Sequence, residues 1–141
     1  MVEGCQILVS NRYLSIVDDE SDITMLFHDA LKNLPGITIF PFNKPQLALE
    51  HFRTNNSEYF LVISDFRMPE LNGMELLKKI RDMNPFVRTI LMTAFGLDDE
   101  LLKHYGKKEI INAFLQKPIH LDDLRDEVNN QLHAYELKKN R

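Results

Sequence analysis

The chain has 141 residues, a formal net charge of −4, 44% hydrophobic and 27% charged residues, and one cysteine. That length supports one domain with a real core, and these fractions are those of a soluble globular protein. The charge argues against a nucleic-acid surface made in bulk, the lone Cys5 excludes an intrachain disulfide or a cysteine metal cluster and fits a reducing cytosol, and no apolar run approaches a membrane span.

Residues 1–11 form an extension without the basic start and long apolar middle of a signal peptide. Within it Gln6-Ile7-Leu8-Val9 reads as a short strand or a packed extension, and Ser10-Asn11 as a break. Tyr13-Leu14-Ser15-Ile16-Val17 is the first strand and runs into Asp18-Asp19-Glu20. Ser21 or Asp22 then caps a helix, with Ile23, Leu26, Phe27, Ala30, Leu31 and Leu34 in a stripe at helical spacing and Pro35-Gly36 as its stop. Residues 37–42 are the second strand, and Pro41, lacking a ladder donor, places it at a sheet edge. Asn43 caps the next helix, with Pro45 in its first turn and Ala48, Leu49 and Phe52 inward; Asn55-Asn56-Ser57 is a loop.

Leu61-Val62-Ile63-Ser64-Asp65-Phe66-Arg67-Met68-Pro69 is an apolar run that ends on a carboxylate and turns at a proline, the pattern of a strand buried on both faces. A helix from about Gly73 to Met83 points Leu76, Leu77 and Ile80 inward and ends at Asn84-Pro85. Residues 87–92 are the fourth strand, closing on Thr93. Asp98 caps a helix carrying Leu101, Leu102 and Tyr105, and residues 106–111 either extend it or form a loop. Ala113-Phe114-Leu115-Gln116 is the fifth strand, closing on Lys117-Pro118. Leu121, Leu124, Val128, Leu132 and Tyr135 mark a final amphipathic helix, followed by a frayed tail at 138–141.

Five strands alternating with five helices mean βαβ units, hence an α/β protein. The expected architecture is a single doubly wound (βα)5 domain, flavodoxin-like, with a parallel five-stranded sheet in the order 2-1-3-4-5. Such sheets bind ligands at the C-terminal ends of their strands. Collected there are Asp18 and Asp19, Asp65, Thr93 and Lys117. Taken singly each has a plainer reading: a solvated capping cluster, a turn former, strand filler, a loop charge. Together they crowd three carboxylates into one crevice with a hydroxyl and an ammonium. Like charges so placed repel unless a cation intervenes, and oxygen ligands with room for water suit Mg²⁺. A carboxylate beside such a cation is a candidate nucleophile for phosphoryl transfer. The five histidines have no ligand spacing.

These residues resemble the receiver domain of two-component response regulators. The likeness is carried by the acidic pair after strand one, by Ser64-Asp65-Phe66-Arg67-Met68-Pro69-Glu70-Leu71-Asn72-Gly73-Met74-Glu75, by Met92-Thr93-Ala94 and by Phe114-Leu115-Gln116-Lys117-Pro118. It assigns 12–139 to the receiver, 1–11 to an extension and 140–141 to a tail. It implies that Asp65 accepts a phosphoryl group from the phosphohistidine of a sensor kinase or phosphotransfer protein. Asp19, Asp65 and the backbone carbonyl of Arg67 would hold Mg²⁺, with Asp18 assisting through water. Thr93 and Lys117 would contact phosphoryl oxygens, Thr93 and Phe114 would form the switch, and the Lys117–Pro118 bond would be cis. The domain would be cytoplasmic, contact neither nucleic acid nor membrane, act on an unidentified output partner, and admit a homodimer through the face from the fourth to the fifth helix. It would catalyse only its own phosphorylation and dephosphorylation, and Phe95 would screen the attacking water and lengthen the phosphoryl lifetime.

Two other functions compete. A haloacid-dehalogenase-type phosphatase also uses a strand-end Asp, Thr, Lys and Mg²⁺, but needs an acid/base two residues after the nucleophile, where this chain has Arg67. A receiver-like module that binds a partner without phosphorylation has no use for the complete acidic set. A flavin site is disfavoured, because no phosphate-cradling loop follows the first strand.

Overall fold

The computed structural model describes residues 11–94 and 110–139. Five parallel strands, β1 (Arg12–Val17), β2 (Ile37–Phe42), β3 (Tyr59–Asp65), β4 (Arg88–Thr93) and β5 (Ala113–Gln116), form one sheet in the order β2-β1-β3-β4-β5. The α-helices among the described residues are α1 (Ser21–Leu31), α2 (Pro45–Thr54), α3 (Gly73–Met83) and α4 (Leu121–Lys139). The doubly wound order expected from the alternation is the one found, with Pro41 on an edge strand. The expected helix beginning at Asp98, Phe95 and the apolar residues Ile7 to Val9 lie outside the described residues.

Every residue of β3 is buried, as a central parallel strand covered on both faces requires. On one face Leu14, Ile16 and Ile63 pack with Phe27 and Leu31 of α1 and Leu124 and Val128 of α4. On the other, Val17 and Val62 pack with Ala48 and Phe52 of α2 and with Leu76, Leu77 and Ile80 of α3, joined by Ile110 and Ile111. Each buried Val, Leu, Ile or Phe side chain among these contributes about 1.5–3 kcal/mol on burial. Tyr13 pairs with Tyr59 but Leu14 with Leu61, so Phe60 is an extra residue in the ladder. Phe60 and Leu61 consequently both belong to the α1/α4 core.

The helix starts differ in part from expectation. Neither Ser21 nor Asp22 caps α1; Glu20 holds the cap position without a side-chain cap bond. Its backbone N–H donates instead to Asp18 Oδ1 at 2.9 Å, which sets the chain so that Ser21 is already in the first turn. Asn43 does not cap α2 either: Lys44 holds that position, Pro45 opens the helix, and the Asn43 amide donates to Ser21 Oγ at 3.3 Å. The apolar stripe of α1 is narrower than expected, with Leu26 48% exposed and Thr24, Phe27 and Leu31 buried. Asn56–Glu58 is a short 3₁₀ turn rather than an irregular loop. Lys138 and Lys139 are helical, not frayed; Lys139 Nζ donates to the Tyr135 hydroxyl at 3.1 Å and ties down the last turn.

Helix α3 starts and stops where its sequence signals place it. Asn72 accepts from the Glu75 N–H at 2.9 Å while the Asn72 N–H donates to the Glu75 carboxylate at 3.0 Å, a reciprocal capping box. This pins the helix directly after the loop that leaves β3.

Candidate functional site at the C-terminal ends of the strands

Because the strands are parallel, β1, β3, β4 and β5 deliver Asp18, Asp65, Thr93 and Lys117 to one end of the sheet. Asp18, Asp19 and Asp65 each bring a carboxylate oxygen to within 4.8 Å of the others. Asp18 is fully buried, Asp65 nearly so, and Asp19 is exposed. Lys117 Nζ reaches both buried carboxylates, at 2.9 Å from Asp18 Oδ2 and 3.2 Å from Asp65 Oδ1. Both oxygens of Asp18 are thereby engaged, one by Lys117 and one by the Glu20 N–H.

One ammonium does not neutralise this cluster. Burial raises the Asp65 carboxyl above its ordinary value, and the charge of Asp18, followed by that of Asp19, adds to the rise; Lys117 only partly opposes it. For Lys117 burial alone would lower the ammonium, but the hydrogen bond it donates to Asp18 and the charge of Asp65 outweigh it and leave Lys117 raised. The donor set is oxygen-only, compact and in charge surplus, which fits a small hard divalent cation.

The backbone around Asp65 is held as closely as its side chain. The Phe66 N–H donates to the Met92 carbonyl at 2.9 Å and the Gly73 N–H to the Phe66 carbonyl at 2.8 Å. A Cβ on Gly73 would lie 2.2 Å from the Asp65 carbonyl oxygen and 2.8 Å from Leu91, so the start of α3 can press against the end of β3 only with glycine there. The fully buried Ser64 hydroxyl donates to the same Asp65 carbonyl at 2.9 Å. The sequence places Gly73 at a helix start and both Ser64 and Gly73 in the stretch that carries the resemblance, but gives neither a function at the site; a lone hydroxyl inside an apolar run is the available signal for the first.

Thr93 is buried at the end of β4, and its carbonyl accepts from the Lys117 N–H at 2.7 Å, which joins the hydroxyl and ammonium positions. The Lys117–Pro118 peptide is cis. Phe114 lies on β5 and is 39% exposed, so it is not a plain core aromatic. Arg67 is exposed and lines an open hollow of about 430 Å³ with Phe66, Met68, Pro69 and Asn72. In the same loop Glu70 takes a φ of 71°, a left-handed conformation unusual for a side-chain-bearing residue, and its carboxylate accepts from Gln46 of α2 at 3.0 Å. A second hollow of about 410 Å³ opens beside the site, between Ile23, Leu26 and Phe27 of α1 and Lys117, Pro118 and Ile119.

Doubly wound topology with acidic residues at the first and third strand ends, and Thr and Lys at the fourth and fifth, defines a signalling receiver. Residues 14–129 match the response regulator receiver domain, and the chain belongs to that family of two-component signalling proteins. It is 28% identical over 122 residues to sporulation initiation phosphotransferase F of Bacillus subtilis, covering 86% of this chain and 94% of that protein. It is 29% identical over 121 residues to the DNA-binding transcriptional regulator NtrC of Klebsiella pneumoniae, covering 86% of this chain but 25% of the regulator. The chain thus spans about a quarter of the length of that relative. Among solved structures, a response regulator receiver domain protein from Clostridium thermocellum superposes with a TM-score of 0.79 at 28% identity, covering 89% of this chain and 98% of that one. No helix among the described residues is long and apolar enough to cross a membrane.

Proposed function

We propose that this receiver is a phospho-acceptor in a two-component phosphorelay and that Asp65 is the residue modified. The observation that carries the reading is the convergence of the Asp18, Asp19 and Asp65 oxygens on one spot with Lys117 beside them. Asp19, Asp65 and the Arg67 backbone carbonyl would hold Mg²⁺; Asp18, whose oxygens are already taken, would act on it through water. Bound there, the ion supplies positive charge against the incoming phosphoryl oxygens.

The chain's own residues do the rest. An Asp65 carboxylate oxygen attacks the phosphorus of a phosphohistidine on a sensor kinase or phosphotransfer protein. The new O–P bond forms as the P–N bond breaks, and its electron pair returns to the imidazole. Lys117 turns from the carboxylates to a phosphoryl oxygen, and the Thr93 hydroxyl donates to another. As Thr93 moves, the exposed ring of Phe114 turns inward, shifting the balance of two conformations that an output partner reads. The domain works in the cytoplasm without contacting nucleic acid or membrane itself, and its only catalysis is of its own phosphorylation and dephosphorylation. Phe95, two residues after Thr93 in the sequence, is the residue proposed to slow hydrolysis of the acyl phosphate. The reading also admits a homodimer through the face from the fourth to the fifth helix of the expected five.

Incubation with Mg²⁺ and acetyl phosphate followed by intact mass tests the chemistry. A single phosphoryl adduct is expected, lost in Asp65→Asn. Absence of an adduct, or its persistence in that variant, overturns the assignment.

A further inference from the structure

We infer that Ser64 is a positioning residue for the metal and phosphoryl site, acting through the Asp65–Phe66 peptide rather than on any reacting atom. The inference rests on the reading of Asp65 given above. That peptide is where the chain leaves β3, and its two polar groups are held from different sides. Its carbonyl takes the Ser64 hydroxyl at 2.9 Å, and its N–H goes to Met92 of β4 at 2.9 Å. Gly73 closes the third side, since even a methyl group there would strike the same carbonyl.

Orientation of this one peptide plane controls two proposed ligands together. It is fixed by ψ of Asp65, and so sets how the loop beyond the strand lies relative to the acceptor carboxylate. It also sets the departure of the loop that carries the Arg67 carbonyl two residues on. Ser64 pairs with Val17 of β1 and Leu91 of β4, both packed in the α2/α3 core, so apolar neighbours flank it on either side. A hydroxyl in such a place needs a partner, and the partner it has is the carbonyl of the nucleophile. Without that donor the carbonyl loses the hydroxyl that fixes its tilt, and outer groups that orient ligands typically change metal affinity by about 10–100-fold.

Three variants of the full chain test this. Ser64→Ala removes the donor, Ser64→Cys keeps nearly the volume with a much weaker donor, and Ser64→Thr keeps the hydroxyl. Mg²⁺ alone is titrated by calorimetry, and phosphorylation is followed at varied acetyl phosphate. Thermal midpoints establish that each variant is folded. Ser64→Ala and Ser64→Cys are expected to weaken Mg²⁺ binding roughly tenfold and to lower the limiting phosphorylation rate with the donor's half-saturation unchanged, while Ser64→Thr restores both. If Ser64 only satisfies its own hydroxyl, the variants will differ in midpoint yet bind Mg²⁺ and react like the parent, and the inference is overturned while the Asp65 reading stands. A parent protein that neither binds Mg²⁺ nor takes a phosphoryl group overturns both.

Discussion

At the N-terminal ends of the strands Arg12 meets Glu136, and at the C-terminal ends Lys117 meets Asp18 and Asp65. Both are partly buried ion pairs that bind strand ends to the rest of the fold, but their charge accounts differ. Arg12 is matched one to one, with both carboxylate oxygens of Glu136 accepting at 2.9–3.1 Å and the guanidinium lying 5.2 Å from the centre of the Tyr135 ring. That end closes on itself, and the hollow of about 540 Å³ beside it, lined by Phe86 and Tyr135, gathers no cluster of carboxylates among the described residues. At the other end, among the described residues, three carboxylates lie together and one ammonium, Lys117, pairs with two of them. A protein selected for stability alone would not leave like charges so close, and the surplus marks the end where a cation is expected to bind.

The contrast can be broken from either side. The largest effect is expected from Lys117→Ala in chelator-treated protein, which leaves the buried Asp18 and Asp65 without their cation. Removing one partner of a fully buried pair costs about 3–5 kcal/mol; with Lys117 23% exposed, about 2 kcal/mol is expected from denaturant unfolding. Mg²⁺ should restore more stability to this variant than to the parent.

The opposite manipulation, Asp65→Asn, should stabilise the metal-free protein by about 1 kcal/mol, because it relieves repulsion at a functional site. This gain has a pH signature. The folded carboxyl has a raised pKa, so the folded chain takes up its proton at a higher pH than the unfolded chain does. The penalty carried at neutral pH is therefore relieved as pH falls through the raised value, and the gap between variant and parent should close on acidification. A gap that widens instead would contradict the surplus.

Arg12→Ala at the matched end should cost about 0.5–1 kcal/mol, since Glu136 is 39% exposed and water screens the pair. A double-mutant cycle with Glu136→Gln measures the coupling. The smallest effect concerns His51, whose ring packs 4.3 Å from Phe40 and whose Nδ1 lies 2.7 Å from the Tyr59 hydroxyl. Burial lowers its pKa. Its contribution is thus intact above the ordinary histidine value near 6.5 and is lost as pH falls toward the lower folded value, a trend opposite in sign to that of Asp65. His51→Gln should flatten the stability profile between neutral and mildly acidic pH.

Features set by local chemistry were readable before any coordinates. Gly73–Met83 could be read because Leu76, Leu77 and Ile80 recur at helical spacing and Asn84-Pro85 stops the chain locally. Pro41 announced an edge, and the alternation of elements then gave the order of the sheet. Caps at Ser21 and Asn43 failed because both side chains found a tertiary partner in each other, and the start of α1 answers to Asp18, three residues before it. The carboxylates could be placed at strand ends from sequence, but the sharing of Lys117 between two of them and the grip of Ser64 on the Asp65 carbonyl depend on contacts across strands or on backbone direction. No periodicity encodes either.

Pro41 has a consequence beyond sheet order. An outermost strand offers its free backbone groups to any passing chain and can seed unwanted stacking of molecules. An imino acid next to the end of that margin interrupts the row, so a foreign strand cannot zip along the whole of β2 without a gap. Along β2 encounters are thereby steered toward side chains, where recognition is selective, and away from main-chain pairing, which is indifferent to sequence.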